Sequence, residues 1–130
     1  MSAWRWISER IVLAIHDEQL AEHGGGAGVR DMQQLQSALA HPQHLASYGS
    51  PDLAALAASY ASGLAKNHPF IDGNKRTAFM VANVFLLDHG YEIATDDAEI
   101  VTPVTALAGG QLDEAGLAEW LRRVMTPDLA

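Results

Sequence analysis

The 130-residue sequence contains no cysteine. This absence excludes disulfides, cysteine-ligated zinc or iron–sulfur sites and a thiol nucleophile, and it is compatible with a reducing cytoplasm. Long apolar runs are also missing, because none approaches the roughly 20 residues that span a bilayer. The N-terminal residues lack the basic start and the apolar block of a signal peptide. We therefore expect a soluble, cytoplasmic protein without a membrane partner, and its length fits one domain over residues 1–130.

Positive charge is scarce, since 8 Lys and Arg stand against 16 Asp and Glu and the net charge is −8. This balance argues against direct nucleic-acid binding, which needs a basic face. The positive residues are unevenly distributed. Within residues 53–87 the only acid is Asp72, whereas Lys66, Lys75 and Arg76 all fall there. A cationic segment in an acidic chain suggests a bound anion.

Strand-like alternation of apolar and polar residues is also rare, and only residues 91–94 could pair briefly as a strand. Helical spacing of apolar residues recurs instead. A first helix is predicted to begin after Ser8 and to end at the glycines of residues 24–28. Asp31 begins a short helix as the first residue of a capping box. Residues 41–50, which are rich in His, Pro, Ser, Tyr and Gly, predict a loop.

Further helices complete the predicted fold. Residues 50–52, Ser-Pro-Asp, combine the cap, the proline and the acid that are typical of a helix start. Residues 77–87 are apolar nearly all round, which indicates a buried central helix that ends at Gly90. Two more helices are predicted over residues 96–110 and 117–124. The fold class is therefore all-α, with about six helices around the 77–87 helix.

The cationic segment contains a run of chemically active residues between two predicted helices: His68-Pro69-Phe70-Ile71-Asp72-Gly73-Asn74-Lys75-Arg76. The start of a buried helix offers free N–H groups and a positive dipole end, and Gly73 lets a phosphate approach them. Lys75 and Arg76 add charge that can bind phosphate oxygens. Asp72 is an oxygen ligand suited to Mg²⁺, and His68 can accept a proton from a hydroxyl. The residues alone thus predict a phosphoryl-handling site.

This run resembles the signature of the Fic/Doc superfamily, His-x-Phe-x-Asp/Glu-Gly/Ala-Asn-x-Arg. The lysine between Asn and Arg is similar to the Doc (death-on-curing) toxin branch, whereas AMP-transferring Fic proteins usually have glycine there. Upstream, His16-Asp17 and residues 23–31 also resemble the start of Doc-like chains. The resemblance spans residues 16 to about 90, and it implies the toxin of a type II toxin–antitoxin system.

The resemblance also implies roles for individual residues. His68 would be the general base and Asp72 the Mg²⁺ ligand. The phosphates of ATP would be bound by the four residues that follow, Gly73, Asn74, Lys75 and Arg76, of which the last two also serve in catalysis. In the Doc-like arrangement the γ-phosphate of ATP faces the target. The enzyme would then be a protein Ser/Thr kinase, whose target in the Doc case is elongation factor Tu, and it would inhibit translation.

Two other functions stay open. Gly73 follows the Fic form where the archetypal Doc toxin has alanine, which keeps AMP transfer as a second interpretation. A non-catalytic partner protein that only binds phosphate or nucleotide is a third. An inhibitory Ser/Thr-x-x-x-Glu motif would need a Gly or Asn downstream of Glu99, and the residues that follow, as far as Thr102, include neither. We therefore expect an external inhibitor, a cognate antitoxin similar to the Phd protein that inhibits Doc.

Several remaining residues invite functional interpretation, but the sequence favours plainer roles for most of them. The resemblance makes residues 41–50 the flap over the active site, which docks the target as an added strand. Within it, His41 and His44 have no carboxylate nearby in the sequence, so we expect no dedicated metal site there. His16 and the glycines of residues 24–28 are interpreted as structural.

Overall fold

The computed structural model describes residues 4–94, 103, 105–107 and 109–128. These residues form α1 (Glu9–His23), α2 (Met32–Tyr48), α3 (Leu53–Asn67), α4 (Asn74–Asp88) and α5 (Glu114–Val124). Residues 103 and 105–107 are also helical, whereas the predicted start of that helix, residues 96–102, lies outside the described residues. The all-α fold class is confirmed. As the sequence suggested, a short strand follows α4: β1 (Tyr91–Ile93) pairs antiparallel with β2 (Met125–Pro127).

Side-chain caps begin four of these helices. Two of them, Ser8 and Asp31, are the residues that the sequence predicted. Ser8 accepts a hydrogen bond from the N–H of Ile11 at the start of α1. Asp31 accepts two such bonds at the start of α2, although its own N–H donates to Pro69 O rather than completing a capping box. The cap of α3 is Asp52 and not Ser50, because the helix begins only at Leu53. Asp113 caps α5.

The prediction of a short second helix followed by a loop over residues 41–50 is wrong. α2 runs unbroken for 17 residues and contains Pro42 in its interior. A proline there removes a helical hydrogen bond, at a cost of about 3 kcal/mol. Pro42 is itself buried, however, and continues the helical stripe of Leu35, Ala38 and Leu39, so packing compensates for the lost bond. The flap expected at residues 41–50 is also wrong, because a helix offers no strand edge.

The most buried helix is α3, and not the helix over residues 77–87 that we expected at the centre. α3 packs against α2, α4 and α5, and 10 of its 15 residues are buried. α4 buries 7 of 15, and Leu87 on it is 42% exposed. Six of the 15 residues of α3 are alanine, and small residues allow close helix contacts. At Gly63, an added Cβ would lie 3.1 Å from the Cα of Ala38 in α2.

This packing positions the motif at one end of the central helix pair. α3 ends at Asn67 and α4 begins at Asn74, so residues 68–73 connect two helices that are buried against each other. At its other end α4 leads through Gly90, with a φ of 86°, into β1. Among the described helices, none has both the length and the apolar character needed to cross a membrane.

Candidate active site

All six residues predicted for the site line one surface depression of about 350 Å³. It is lined by His68, Ile71, Asp72, Gly73, Asn74, Lys75 and Arg76. Its floor is the start of α4, so the helix dipole places partial positive charge there. The side chains of His68, Asp72, Lys75 and Arg76 belong to exposed residues. The structure therefore brings the predicted residues together around one solvent-accessible space.

His68 ends α3 in an unusual backbone conformation. Its φ of 48° and ψ of 56° lie in the left-handed region, and among the described residues no other non-glycine residue has a positive φ. Strained conformations of this kind cost about 1–3 kcal/mol and concentrate at functional sites. The Nδ1 atom of His68 lies 3.5 Å from the side-chain nitrogen of Asn74, which is the outer limit of a hydrogen bond.

The first turn of α4 has no side-chain cap. Gly73 occupies the N-cap position with a φ of 77°, a conformation that favours glycine. A Cβ at this position would lie 3.6 Å or more from the neighbouring side chains of Leu20 and His16. The backbone conformation, rather than crowding, therefore selects glycine. The uncapped first turn is the kind of helix start that binds phosphate groups, and the exposed Lys75 and Arg76 lie on it.

The carboxylate of Asp72 is held by backbone N–H groups from two segments of the chain. Gly73 N donates to Oδ1 at 2.8 Å, and Gly26 N donates to Oδ2 at 3.3 Å. These two hydrogen bonds, with a smaller effect from the positive charge of Arg76, hold the pKa of Asp72 below its ordinary value. The group is therefore ionised at neutral pH and available as an oxygen ligand.

Asp72 fits a magnesium ion that is bound mainly through its substrate. Across the described residues, no three His, Asp or Glu side chains are close enough to form a metal cluster. Mg²⁺ at phosphate-transfer sites is commonly held by one or two carboxylates together with phosphates and water. A single ionised carboxylate beside an uncapped helix start matches that kind of site, and it does not match a dedicated cage of protein ligands.

The side chain of Asn74 is occupied in folding the loop. Its Oδ1 accepts from the N–H of Phe70 at 2.9 Å, and its Nδ2 donates to Phe70 O at 3.0 Å. Only its backbone N–H, in the first turn of α4, could therefore contribute to the predicted phosphate site. Phe70 itself is 1% exposed and stacks on the buried ring of His16 at 3.7 Å. Phe70 therefore fixes the loop onto the core.

The glycine segment that precedes α2 lies along the motif, which sequence reasoning missed. Gly28 O accepts from Ile71 N at 3.2 Å, and Gly24 O accepts from Nη2 of Arg76 at 3.3 Å. An added Cβ at Gly25 would lie 2.8 Å from the Asp72 carboxylate. These glycines therefore have a close-packing role at the site. The only available signal was the number of glycines in so short a stretch.

Two histidine predictions have distinct outcomes. His16 is buried, and its Nε2 donates to the backbone oxygen of Asp72 at 2.8 Å, so it supports the loop as a structural residue. His41 is paired with Glu114 of α5 at 2.9 Å, a carboxylate that is distant in the sequence. That pair and His44 line a second depression of about 490 Å³. They form no three-residue metal cluster in the part of the chain that the structure describes.

Comparisons with known proteins support the identification of residues 68–76 as a Fic/Doc motif. The sequence profile of the Fic/DOC family matches residues 6–86, which include α1 to α3 and the whole motif. The chain is 31% identical over 121 residues to the protein kinase doc of Escherichia phage P1, covering 92% of this chain and 95% of that protein. It is 43% identical over 76 residues to the toxin Doc of Mycolicibacterium smegmatis, covering 56% and 58% respectively.

Proposed function

Since this chain belongs to the Fic/Doc family, we propose that it is a Doc-type toxin that acts as a protein kinase. Residues 1–130 would form one catalytic domain. One observation carries the proposal: an exposed histidine, an ionised carboxylate and two cationic side chains surround the uncapped start of α4 in a single depression. Of the two relatives, one is named as a protein kinase and the other as a toxin.

The residues of the site divide the work of phosphoryl transfer among them. ATP and Mg²⁺, when bound, supply the phosphoryl group and neutralise part of its charge. Asp72 would hold the cation with a carboxylate that its backbone hydrogen bonds keep ionised. The first-turn N–H groups of α4, together with Lys75 and Arg76, bind the phosphate oxygens. His68 would accept the proton of the target hydroxyl as that oxygen attacks the γ-phosphorus, while the bond from that phosphorus to ADP breaks and ADP leaves.

Partners follow from the Doc-type proposal. The protein substrate would present a Ser or Thr hydroxyl, and elongation factor Tu is the candidate that the family resemblance implies. A cognate, Phd-like antitoxin would inhibit the enzyme. With these partners, the activity would lie in the cytoplasm. The net charge of −8 supports the absence of a direct role in nucleic-acid binding.

AMP transfer is the second candidate, and one observation favours it. Gly73 follows the Fic form of the motif, and a Cβ at that position would meet no atom closer than 3.6 Å. The φ of 77° at Gly73 favours glycine without any crowding, so the support for AMP transfer is the match of this residue to the Fic form. Lys75 favours phosphate transfer, because its side chain adds bulk and charge where Fic proteins usually have glycine.

A mass measurement separates these functions. The purified protein is incubated with ATP, Mg²⁺ and a translation extract, and modified proteins are identified by mass spectrometry, with His68→Ala as the control. One added phosphate on a target supports the kinase. One added AMP overturns the kinase in favour of the second candidate. No modification by a folded, nucleotide-binding protein supports the non-catalytic alternative.

A further inference from the structure

The backbone conformation of His68 needs a stabilising partner. Helices that end with a left-handed residue usually place glycine there, because glycine has no Cβ to resist that conformation. Position 68 carries a histidine instead of a glycine, so other contacts must stabilise its left-handed conformation. The last carbonyls of α3 also accept no hydrogen bond from within the helix, so they need N–H donors from elsewhere in the chain.

Arg30 supplies donors to three successive carbonyls at this point. Its Nη2 donates to Asn67 O at 2.9 Å, its Nε donates to His68 O at 2.7 Å, and its backbone N–H donates to Pro69 O at 2.7 Å. The guanidinium also places a positive charge at the negative end of the α3 dipole, which is the favourable arrangement. One residue thus fixes the backbone on both sides of His68.

Arg30 is itself held firmly in place. It stands between Val29, which forms a bridge with Phe70, and Asp31, which caps α2. The side chain of Asn67 donates in turn to Gln34 O at 3.0 Å, so a further hydrogen bond joins the start of α2 to the end of α3. Arg30 does not line the depression that holds the motif side chains. Its contacts are therefore with backbone and not with the space for substrate.

We propose that Arg30 is a positioning residue for His68, holding residues 67–69 in the conformation that directs the imidazole to the depression. This inference rests on the proposed function, because it takes His68 as the general base. A planar guanidinium can reach two neighbouring carbonyls at once, whereas a lysine ammonium cannot reproduce that fork. A lysine at position 30 would therefore restore only part of the positioning that Arg30 provides.

The test compares Arg30→Met and Arg30→Lys with a matched control, Arg10→Met. Arg10 is exposed, and its side chain forms no hydrogen bond or ion pair within the described residues. In Arg30→Met we expect kcat to fall about 10- to 100-fold, as for a displaced catalytic group, with the KM for ATP within about twofold because the phosphate-binding groups are untouched. Arg30→Lys should lie between Arg30→Met and wild type, and Arg10→Met should match wild type.

An NMR measurement adds a readout that does not depend on turnover. We expect the ring signals of His68 to shift or broaden in Arg30→Met, while those of the buried His16 stay in place and show that the fold is intact. Wild-type kcat in folded Arg30→Met, or unchanged His68 signals alongside a reduced kcat, would overturn the inference. If Arg30→Met does not fold, wild-type kcat in Arg30→Lys overturns it and a reduced kcat with shifted His68 signals supports it. Full activity of His68→Ala would instead defeat the proposed function itself.

Discussion

At the scale of single residues, the backbone holds most of the polar side chains of this site. Asp72 is bound by the N–H groups of Gly73 and Gly26, and Asn74 by both backbone groups of Phe70. Backbone donors cannot change rotamer, so the groups that they hold lose little freedom when a ligand arrives. Such a site is organised before its substrate binds.

Replacing His68 by alanine tests the assignment of the base. We expect His68→Ala to lower kcat about 10²- to 10⁴-fold, the range for loss of a general base, while circular dichroism and thermal unfolding show a retained fold. The matched control is His44→Ala, because His44 is an exposed histidine outside the motif depression. An active His68→Ala protein would contradict the assignment.

Asp72→Asn tests the carboxylate while keeping the side-chain shape. Partners of metal ligands alone are worth about 10- to 100-fold in metal affinity, so we expect the Mg²⁺ concentration for half-maximal activity to rise at least about tenfold. The lowered pKa of Asp72 adds a pH prediction. The wild-type carboxylate should stay ionised as the pH falls through the ordinary value of 3.8, and Mg²⁺ binding should weaken only below it. A Mg²⁺ titration unchanged in Asp72→Asn would show that the ligand lies elsewhere.

At the scale of elements, one carboxylate links two helices. Asp52 caps α3 through the N–H of Ala55, and it pairs with both Nε and Nη2 of Arg122 on α5 at 2.7 and 3.0 Å. The hydrogen bonds from Arg122 are the main reason why the pKa of Asp52 is lowered. The stability that this shift contributes is present above the unfolded value of 3.8 and is lost as the pH falls through the lower folded value.

Two substitutions at this position separate the cap from the ion pair. Asp52→Asn keeps a capping oxygen, so we expect it to lose only the exposed pair, up to about 1 kcal/mol. Asp52→Ala also loses the cap, which costs about 0.5–2 kcal/mol more. Urea unfolding at pH 7 measures both losses. The difference between wild type and Asp52→Asn should shrink below pH 4, and a difference that persisted there would rule out the ion pair as its cause.

The starts of α1 and α2 were predictable from the sequence, whereas the length of α2 was not. A cap acts within three residues, as Ser8 and Asp31 do, so a short stretch of sequence contains the whole interaction. The passage of α2 through Pro42 depends on the burial of that residue, which no local pattern reveals. The central place of α3 was missed for the same reason, since an alanine-rich helix is weakly hydrophobic until its close contacts are known.

The site was predictable to the extent that its residues are contiguous. Six predicted residues lie within residues 68–76 and share one depression. The groups that support them come from far along the chain: Arg30 is 38 residues before His68, and His16 is 56 residues before Asp72. Contacts at such separations are set by tertiary packing, and a single sequence carries no periodic signal for them.

At the scale of the whole molecule, the motif and the small sheet occupy opposite ends of α4. A helix of 15 residues is about 22 Å long. We therefore expect a chain that ends at Val124, without β2, to lose thermal stability because β1 loses its pairing partner, while its kcat at a temperature where it stays folded remains within about twofold of wild type. Loss of activity in the folded, truncated chain would show that the two ends are coupled.

The glycines of residues 24–28 and Arg30 lie in the first half of the chain, which contains none of the nine motif residues. A fragment made by opening the backbone between α2 and α3 would therefore possess every reactive group and still be inert. Transplanting the nine-letter signature onto a foreign scaffold would fail in the same way. The reactive side chains and the residues that position them are encoded in different parts of the gene, so activity requires both parts.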